Sequence, residues 1–348
     1  MSRLPLLALL ALPLAGCDHD HGGSGAAPNR VLVMNQTDAT LSLVDADAGT
    51  VVKTIDLTAQ GFAATARPHM ALIRGTEWVV SLIGADAVVV MDTTGRVLRR
   101  AATASPGMVS VAPDGRYLVS RSLSATNPPA SLAFIDPVTM AVEERLVGVP
   151  HPHALGRTAT TVYTASLRAP SLLRIGADGE TRGVTVPGGD GQALGHLAVS
   201  PDGRRLAVSA ELTGSVHLYT LATDGTPLYD ATIAVGQRPW HLHFSPDSRT
   251  LYVPLFGEDA VAFVDPAARI VRRKVSGYGI AEPYTVIVSN DGTWLYVTSA
   301  NGKGSYTGRR PGAGTLAVIE TATGKIVRIV EVGRGPTGAA LLGSTHLH

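Results

Sequence analysis

Histidines in this chain recur at one kind of place, the beginning of a short apolar run, often beside a proline or glycine. Six of the 11 histidines occupy such places. Imidazole nitrogen is a common ligand of zinc and copper, and three or four converging imidazoles can hold either metal. We predict a zinc or copper site from four principal and four secondary candidates, with Met108 favouring copper. The principal candidates are His69, His153, His196 and His241, and the secondary ones are His151, His243, Met108 and Tyr284.

Two alternatives stay open because the principal histidines do not share one register. Counted from the start of each run, His69 and His153 occupy the same position, whereas His196 and His241 fall one residue later. Successive residues of a β-strand face opposite ways, so the four side chains need not converge. The pattern is also compatible with a polar pocket for an organic ligand and with purely structural histidines.

The runs that carry these histidines belong to a repeat. Its phrase reads VAPDGRYLVS at 111–120, VSPDGRRLAVS at 199–209, FSPDSRTLYVP at 244–254 and VSNDGTWLYVT at 288–298, at separations of 88, 45 and 44 residues. A period of this size is typical of propellers, solenoids and arrays. Each repeat holds four short alternating apolar runs separated by turn residues, which favours the propeller.

The number of repeats predicts an all-β fold, a seven-bladed β-propeller of four-stranded antiparallel blades over residues 29–343. The repeats start at Asn29 with only three apolar runs, and they end with one unpaired run at 335–342. We expect this C-terminal strand to complete the N-terminal blade, which leaves no free sheet edge. The first strand of each blade lines the central channel, so the histidines mark the channel mouth.

Composition excludes several classes of protein. One Cys rules out a disulfide framework, a four-Cys zinc ribbon and a covalent c-type haem site. A formal net charge of +1 gives no electrostatic case for nucleic acid, and we expect none as a partner. The 38 Gly and 22 Pro predict many turns and short strands. We expect a monomer.

The N-terminal sequence predicts a secretion signal and a membrane anchor. Arg3 precedes an apolar run from Leu4 to Leu14, which is too short to span a bilayer and suits a signal peptide. The following LAGC, ending at Cys17, resembles a bacterial lipobox, which implies a signal peptide over 1–16 and a lipid on Cys17. The alternative is an ordinary secretory signal cleaved near Ala15, with Cys17 left as a free thiol.

After Cys17 the chain reads as a polar tether. Residues 17–28 are rich in Gly, His and Asp, which favours flexibility, and His19 and His21 are weak metal candidates. By resemblance to lipoproteins, Asp18 implies retention at the inner membrane. We therefore expect a lipid-anchored protein on the periplasmic side of a bacterial cell envelope. Residues 344–348 are expected to be a tail.

A glycine-rich insertion interrupts the last blade at 301–314. Its cations Lys303, Arg309 and Arg310 lie among five glycines, and such a loop can bind an anion. It lacks the Walker spacing of a nucleotide loop. Neither G-x-S-x-G nor H-E-x-x-H occurs, and we assign no catalytic residue.

The repeat resembles a known family. The pattern of Pro-His, then Ser-Pro-Asp-Gly, then Leu-Tyr-Val-Thr is similar to the YVTN-repeat seven-bladed β-propellers of bacterial envelopes, over about residues 29–342. The resemblance implies the fold but does not decide the activity.

Several functions are compatible with that resemblance. The leading interpretation is a non-catalytic binding module similar to periplasmic propeller metallochaperones, with an envelope transporter or redox protein as partner. The alternatives are a lactonase-like hydrolase, a haem-handling propeller similar to the d-type-haem domain of nitrite reductases, and a protein–protein scaffold.

Overall fold

Seven four-stranded antiparallel sheets form the described part of the chain. The computed structural model describes residues 29–121 and 130–344, and strands run from Arg30 to Leu341. Among these residues, helical structure is limited to the 3-10 turns Thr58–Gln60 and Ile83–Ala85, and no helix is long and apolar enough to cross a membrane. The predicted fold class is confirmed.

Six of the blades use consecutive strands, and the blade that holds the N-terminal strands takes its inner strand from the C-terminus. There β28 pairs antiparallel with β1, in the sheet order β28-β1-β2-β3. The predicted closure of the ring is therefore confirmed. The inner strands, from the N-terminal blade onward, are β28 Pro336–Leu341, β4 Pro68–Arg74, β8 Pro106–Val111, β12 Pro152–Arg157, β16 Leu194–Val199, β20 His243–Phe244 and β24 Pro283–Val288.

The remaining strands follow outward in each blade. The second strands are β1 Arg30–Asn35, β5 Glu77–Leu82, β9 Tyr117–Arg121, β13 Val162–Ser166, β17 Arg205–Ala210, β21 Leu251–Leu255 and β25 Trp294–Ser299. The third strands are β2 Thr40–Asp45, β6 Ala87–Met91, β10 Ser131–Ile135, β14 Ser171–Ile175, β18 Ser215–Leu221, β22 Ala260–Asp265 and β26 Thr315–Glu320. The outer strands are β3 Thr50–Asp56, β7 Val97–Ala102, β11 Val142–Leu146, β15 Thr181–Thr185, β19 Pro227–Ala234, β23 Ile270–Ser276 and β27 Ile326–Glu331.

The hydrophobic core lies between neighbouring blades. One cluster of buried side chains fills each interface; Leu32 and Met34 of the first blade, for example, pack with Val80 and Leu82 of the second. Sheets covered on both faces read as continuous apolar runs, as the second and third strands do here. The outer strands carry most of the exposed positions. The low charge of the sequence follows from this packing.

The Pro-Asp-Gly phrase builds the turn between the inner and second strands. The Ser200 hydroxyl donates to Asp202 Oδ1 at 2.6 Å, and the same carboxylate oxygen accepts from the Arg204 backbone N–H at 3.1 Å. Gly203 adopts a positive φ of 69°, which favours glycine. These local hydrogen bonds explain why the phrase recurs in the repeat.

The predicted N-terminal segments lie outside the described residues. These are the signal peptide over 1–16, the lipidated Cys17, the tether over 17–28 with Asp18, His19 and His21, and the tail beyond residue 344. They stay predictions.

Candidate metal centre

The backbone at the start of each inner strand is held in an uncommon conformation. In every blade the residue just before the channel-lining run has a positive φ, for example 52° at Arg67 and 54° at Arg238. A residue other than glycine in this region costs on the order of 1–3 kcal/mol, and such residues cluster at functional sites. The seven residues are Arg67, Ser105, His151, Ala193, Arg238, Glu282 and Gly335.

A β-bulge follows, and it settles the register question raised by the sequence. The pairing of the inner strand shifts between Pro68 and Ala71, between Pro152 and Ala154, and between Leu194 and His196. A bulge inserts an unpaired residue and so interrupts the alternation of side chains. Histidines in two different sequence registers can therefore face the same channel.

His241 reaches the channel by another route. Its blade has an inner strand of only two residues, and the His241 backbone instead bonds to the inner strand of the next blade. The His241 N–H donates to the Tyr284 carbonyl at 3.1 Å, and the Val286 N–H donates to the His241 carbonyl at 3.3 Å. This parallel bridge draws His241 toward the channel axis.

The structure brings three of the predicted histidines together and places the fourth beside them. One ring nitrogen each of His69, His153 and His241 lies within 4.8 Å of the others, and all three side chains are buried. Their ring centroids are 5.5 to 6.2 Å apart. The ring of His196, which is partly exposed to the channel, lies 4.7 Å from that of His241.

Hydrogen bonds fix two of the imidazoles in the tautomer that leaves Nε2 free to bind a metal. His153 Nδ1 lies 2.8 Å from the Arg121 carbonyl, which can only accept, so Nδ1 carries the proton. His241 Nδ1 lies 2.9 Å from Thr285 Oγ1. That hydroxyl donates to the Thr337 carbonyl, so it accepts from His241. Nε2 of both rings therefore keeps its lone pair, and no described residue hydrogen-bonds the buried Nε2 of His241.

His69 has the opposite tautomer. Gln36 Nε2 donates to His69 Nδ1 at 3.3 Å, and Gln36 Oε1 accepts from the Arg67 guanidinium at 3.2 Å. The contact with Arg67 fixes the orientation of the amide, so the proton of neutral His69 lies on Nε2. Binding a metal through Nε2 would require this proton to move to Nδ1 and the Gln36 amide to turn. His153 and His241 can therefore bind a metal through Nε2 as they stand, whereas His69 must first change its tautomer.

All four imidazoles are neutral at physiological pH. Burial lowers the pKa of His153 to about 4, and burial together with His153 lowers that of His196 to about 3. Burial also holds the pKa values of His69 and His241 well below their usual range, with neighbouring histidines adding to the effect. A metal competes with protons for an imidazole lone pair, and here the protons are already excluded.

The geometry fits a small transition metal after modest closure. Tetrahedral zinc with Zn–N distances of about 2.0–2.1 Å places its nitrogen ligands about 3.3–3.4 Å apart. The three nitrogens lie within 4.8 Å of one another, so a bound metal would have to draw them closer together. His196 is the candidate for a fourth ligand.

The secondary candidates surround this cluster. Tyr284 lies edge-on to His241 at 4.9 Å between ring centroids and stacks on Trp240 at 4.9 Å. His243 Nδ1 lies 2.6 Å from the Phe244 carbonyl. His243 and Met108 line the channel. His151 is partly exposed, outside the group of three.

Several donors of the Gly-rich loop at 301–314 are already bonded to carboxylates of the chain itself. Glu331 accepts from the backbone N–H groups of Arg309 and Arg310 at 2.7 and 2.9 Å, and from Arg310 Nε at 3.1 Å. The Lys303 backbone N–H donates to Glu282 at 3.0 Å. An external anion would have to displace these carboxylates, so the predicted anion site gains no support.

Sequence reasoning missed the residues that orient the histidines. Gln36 lies in the first blade, 33 positions before His69, and nothing in its local sequence indicates the contact. Thr285 carried a weak signal, because it occupies in its own blade the strand position that His241 occupies in the preceding one. Arg121 contributes only its backbone carbonyl to the contact with His153. Every residue type has such a carbonyl, so the sequence could not indicate this contact.

Comparisons with known proteins agree on the fold and differ in function. A family model for the YNCE-like beta-propeller matches residues 209–308. No curated protein matches the sequence significantly. Among solved structures, a functionally unknown protein from Desulfotomaculum acetoxidans DSM 771 is 15% identical, with a TM-score of 0.69, over 90% of this chain and 98% of that one.

Two other solved structures carry functional names. A protein from Bacteroides uniformis ATCC 8492, provisionally a 6-phosphogluconolactonase, is 15% identical, with a TM-score of 0.67, over 90% of this chain and 99% of that one. The dihydro-heme d1 dehydrogenase NirN, in complex with DHE, is 14% identical, with a TM-score of 0.60, over 90% of this chain and 75% of that one. At these identities the likeness shows the fold alone.

Proposed function

We propose that this β-propeller binds a transition metal, zinc or copper, through His69, His153 and His241, and that it serves as a non-catalytic metal-handling module. One observation carries the proposal. Three buried, neutral imidazoles from three different blades bring ring nitrogens within 4.8 Å of one another. A buried polar group without a partner is costly, so such a cluster needs a reason to persist.

The choice between the two metals depends on the neighbours of the three histidines. His196 would complete a set of four nitrogen ligands, which zinc and copper(II) both accept. Met108 lines the same channel, and a thioether ligand would favour copper(I). In each case the chain supplies preset lone pairs on His153 and His241, and it excludes water from the ligands by burial.

The proposal extends to the cellular setting. A lipid on Cys17 would hold the propeller at the periplasmic face of a bacterial envelope, with residues 17–28 as tether and His19 and His21 able to meet incoming metal. The partner would be an envelope transporter or redox protein that receives the metal. Replacing Cys17 by Ser should release the protein from the membrane fraction, and retention there would contradict the anchor.

Metal binding by purified protein tests the proposal. Metal-free protein, titrated with zinc and separately with copper, should bind one ion per chain. The double variant His153→Ala/His241→Ala should lose this binding, whereas His151→Ala should keep it, because His151 is partly exposed and lies outside the group of three. Unchanged affinity in the double variant, with a thermal melt that shows it folded, would sink the proposal.

The purified protein also tests the lactonase and haem-handling alternatives. A lactonase-like hydrolase would turn over lactones, and a haem-handling protein would give a haem absorption shift that depends on the channel histidines. Our proposal expects neither: no lactone hydrolysis with or without added metal, and no stoichiometric haem binding.

A further inference from the structure

The central channel continues beyond the histidines as an apolar cavity. It has a volume of about 440 Å³ and lies between the inner strands. Its inner end is bounded by His196 and His241, and its walls include Met70, Met108, Leu155 and Ile287. Pockets that hold small organic molecules are of this size and are mostly apolar with a few placed polar groups. A bare metal ion would fill only a small part of this cavity.

The two ends of the cavity differ in chemistry because the inner strands run parallel around the channel. Their first residues carry the histidines, and their last residues reach the face formed by the Pro-Asp-Gly turns. Arg157 is the last residue of β12, four positions after His153, and it lines the cavity. At about 3.3 Å per residue, this places the Arg157 backbone roughly 13 Å along the strand from that of His153.

Arg157 has no hydrogen-bond or ion-pair partner within the part of the chain that the structure describes. Among residues 29–121 and 130–344, no carboxylate forms an ion pair with it and no acceptor bonds its guanidinium, whose Nε is buried. Burial lowers the pKa of Arg157. Arg121, by contrast, bonds to Glu144 and to two backbone carbonyls. A partly buried charge left unpaired is costly unless a ligand compensates it.

We propose that the channel binds an amphipathic carboxylate, with its carboxylate on Arg157 and its apolar body along Met70, Met108, Leu155 and Ile287. A guanidinium presents paired N–H donors that match a carboxylate. Asp202 lines the same mouth, and its negative charge disfavours a ligand of higher charge such as a phosphate. This site does not depend on the metal, because Arg157 lies at the opposite end of the strand from His153.

Calorimetric titration of the full chain with decanoate tests the proposal, with uncharged decanol as the matched ligand. We expect decanoate to bind one per chain and decanol to bind at least tenfold more weakly, since charge-assisted hydrogen bonds account for the difference. Arg157→Met should weaken decanoate binding by tenfold or more. Arg204→Met, on the adjoining turn but outside the cavity, should leave it unchanged.

A second readout separates a ligand site from a structural role. If Arg157 serves a ligand, Arg157→Met should raise the melting temperature of the ligand-free protein, because it removes an unpaired charge; a structural arginine would give a lower melting temperature. Leu155→Trp, which fills the cavity, should abolish decanoate binding whatever the state of Arg157. The proposal is overturned if the unaltered chain binds no decanoate at millimolar concentration, or if Arg157→Met binds it as tightly.

Discussion

Two regions of this propeller carry residues suited to binding, and they differ in what those residues already touch. In the three-histidine cluster of His69, His153 and His241, Nε2 of His69 and Nε2 of His241 are buried and find no hydrogen-bond partner among the described residues. The Gly-rich loop at 301–314 offers more donors, yet Glu331 and Glu282 already occupy its backbone N–H groups. Binding capacity is therefore better read from unsatisfied polar atoms than from residue type.

The two regions also differ in charge and burial. The imidazoles are buried and neutral, with pKa values lowered by desolvation. In the loop, the cations are more than half exposed and pair with carboxylates that are mostly buried, as with Lys303 and Glu282 or Arg310 and Glu331. Glu282 and Glu331 offset two of the three cations of the loop, whereas His153 and His241 leave lone pairs for a cation.

The largest expected difference between the regions is in metal affinity. His241→Ala removes one of three nitrogen ligands and should weaken zinc binding by at least about 100-fold, more than the 10- to 100-fold typical of second-sphere changes. Arg310→Met should change it by less than about twofold. Competition with a chromophoric chelator measures both. Equal losses in the two variants would erase the distinction between cluster and loop.

Acidification should destabilise the metal-free protein through the cluster. The unfolded histidines protonate near pH 6.5, whereas folded His153 resists protonation until about pH 4 and His196 until about pH 3. The unfolded state thus binds more protons in this window, and stability falls as pH falls, by about 1.4 kcal/mol per pH unit for each such histidine.

Urea unfolding at pH 7, 6 and 5 measures this slope. In the variant His153→Gln the slope should drop by about one proton. Lys303→Met, in the loop, should leave it unchanged, because no histidine is affected. A free energy of unfolding that stays flat between pH 6.5 and 5 would contradict the neutral, buried state of the cluster.

Glu331→Gln should affect the loop and spare the cluster. The carboxylate accepts from two backbone N–H groups and from Arg310, and although burial opposes it, these hydrogen bonds hold the pKa of Glu331 below its usual value. Loss of the charge should cost about 2 kcal/mol of unfolding free energy, the scale of hydrogen bonds to charged groups. Thermal melts measure this cost, and metal affinity should not change. A wild-type melting curve would show that the loop does not depend on its carboxylate.

The smallest expected effect concerns the tautomer of His69 and its influence on zinc affinity. In Gln36→Glu the new carboxylate can accept from His69 Nδ1–H while it still pairs with Arg67, which presets the tautomer that a metal needs. Zinc affinity should rise by about tenfold, as carboxylate–histidine contacts do elsewhere. Gln36→Leu, which releases Nδ1 without supplying an acceptor, is the control. Equal affinity in Gln36→Glu and the unaltered chain would show that the tautomer of His69 does not limit binding.

The fold could be predicted from the sequence because it repeats. The same strand pattern recurs in all seven blades, so each copy supports the others. The three runs at the start of the repeats and the single run at their end predicted the pairing of β28 with β1. The hydrogen bonds of the turns, such as that between Ser200 and Asp202, join residues within the repeated phrase and could be predicted from it.

The candidate site was only partly predictable, because its decisive contacts join distant blades. Alternation along a strand left open whether His69 and His196 face the same way, and the bulges that decide this depend on pairing with the neighbouring strand. The hydrogen bond from Gln36 to His69 and the unpaired state of Arg157 likewise follow from tertiary packing. Residue types predicted which chemistry was available, but not which atoms were free.

X-ray absorption at the metal edge tests the central claim most directly. After loading with one equivalent of zinc, the spectrum should show at least three imidazole nitrogens at about 2.0–2.1 Å. The variant His153→Ala/His241→Ala should lose this signature. A zinc shell made of oxygen ligands, or an imidazole shell that survives in the double variant, would place the metal elsewhere and contradict the account.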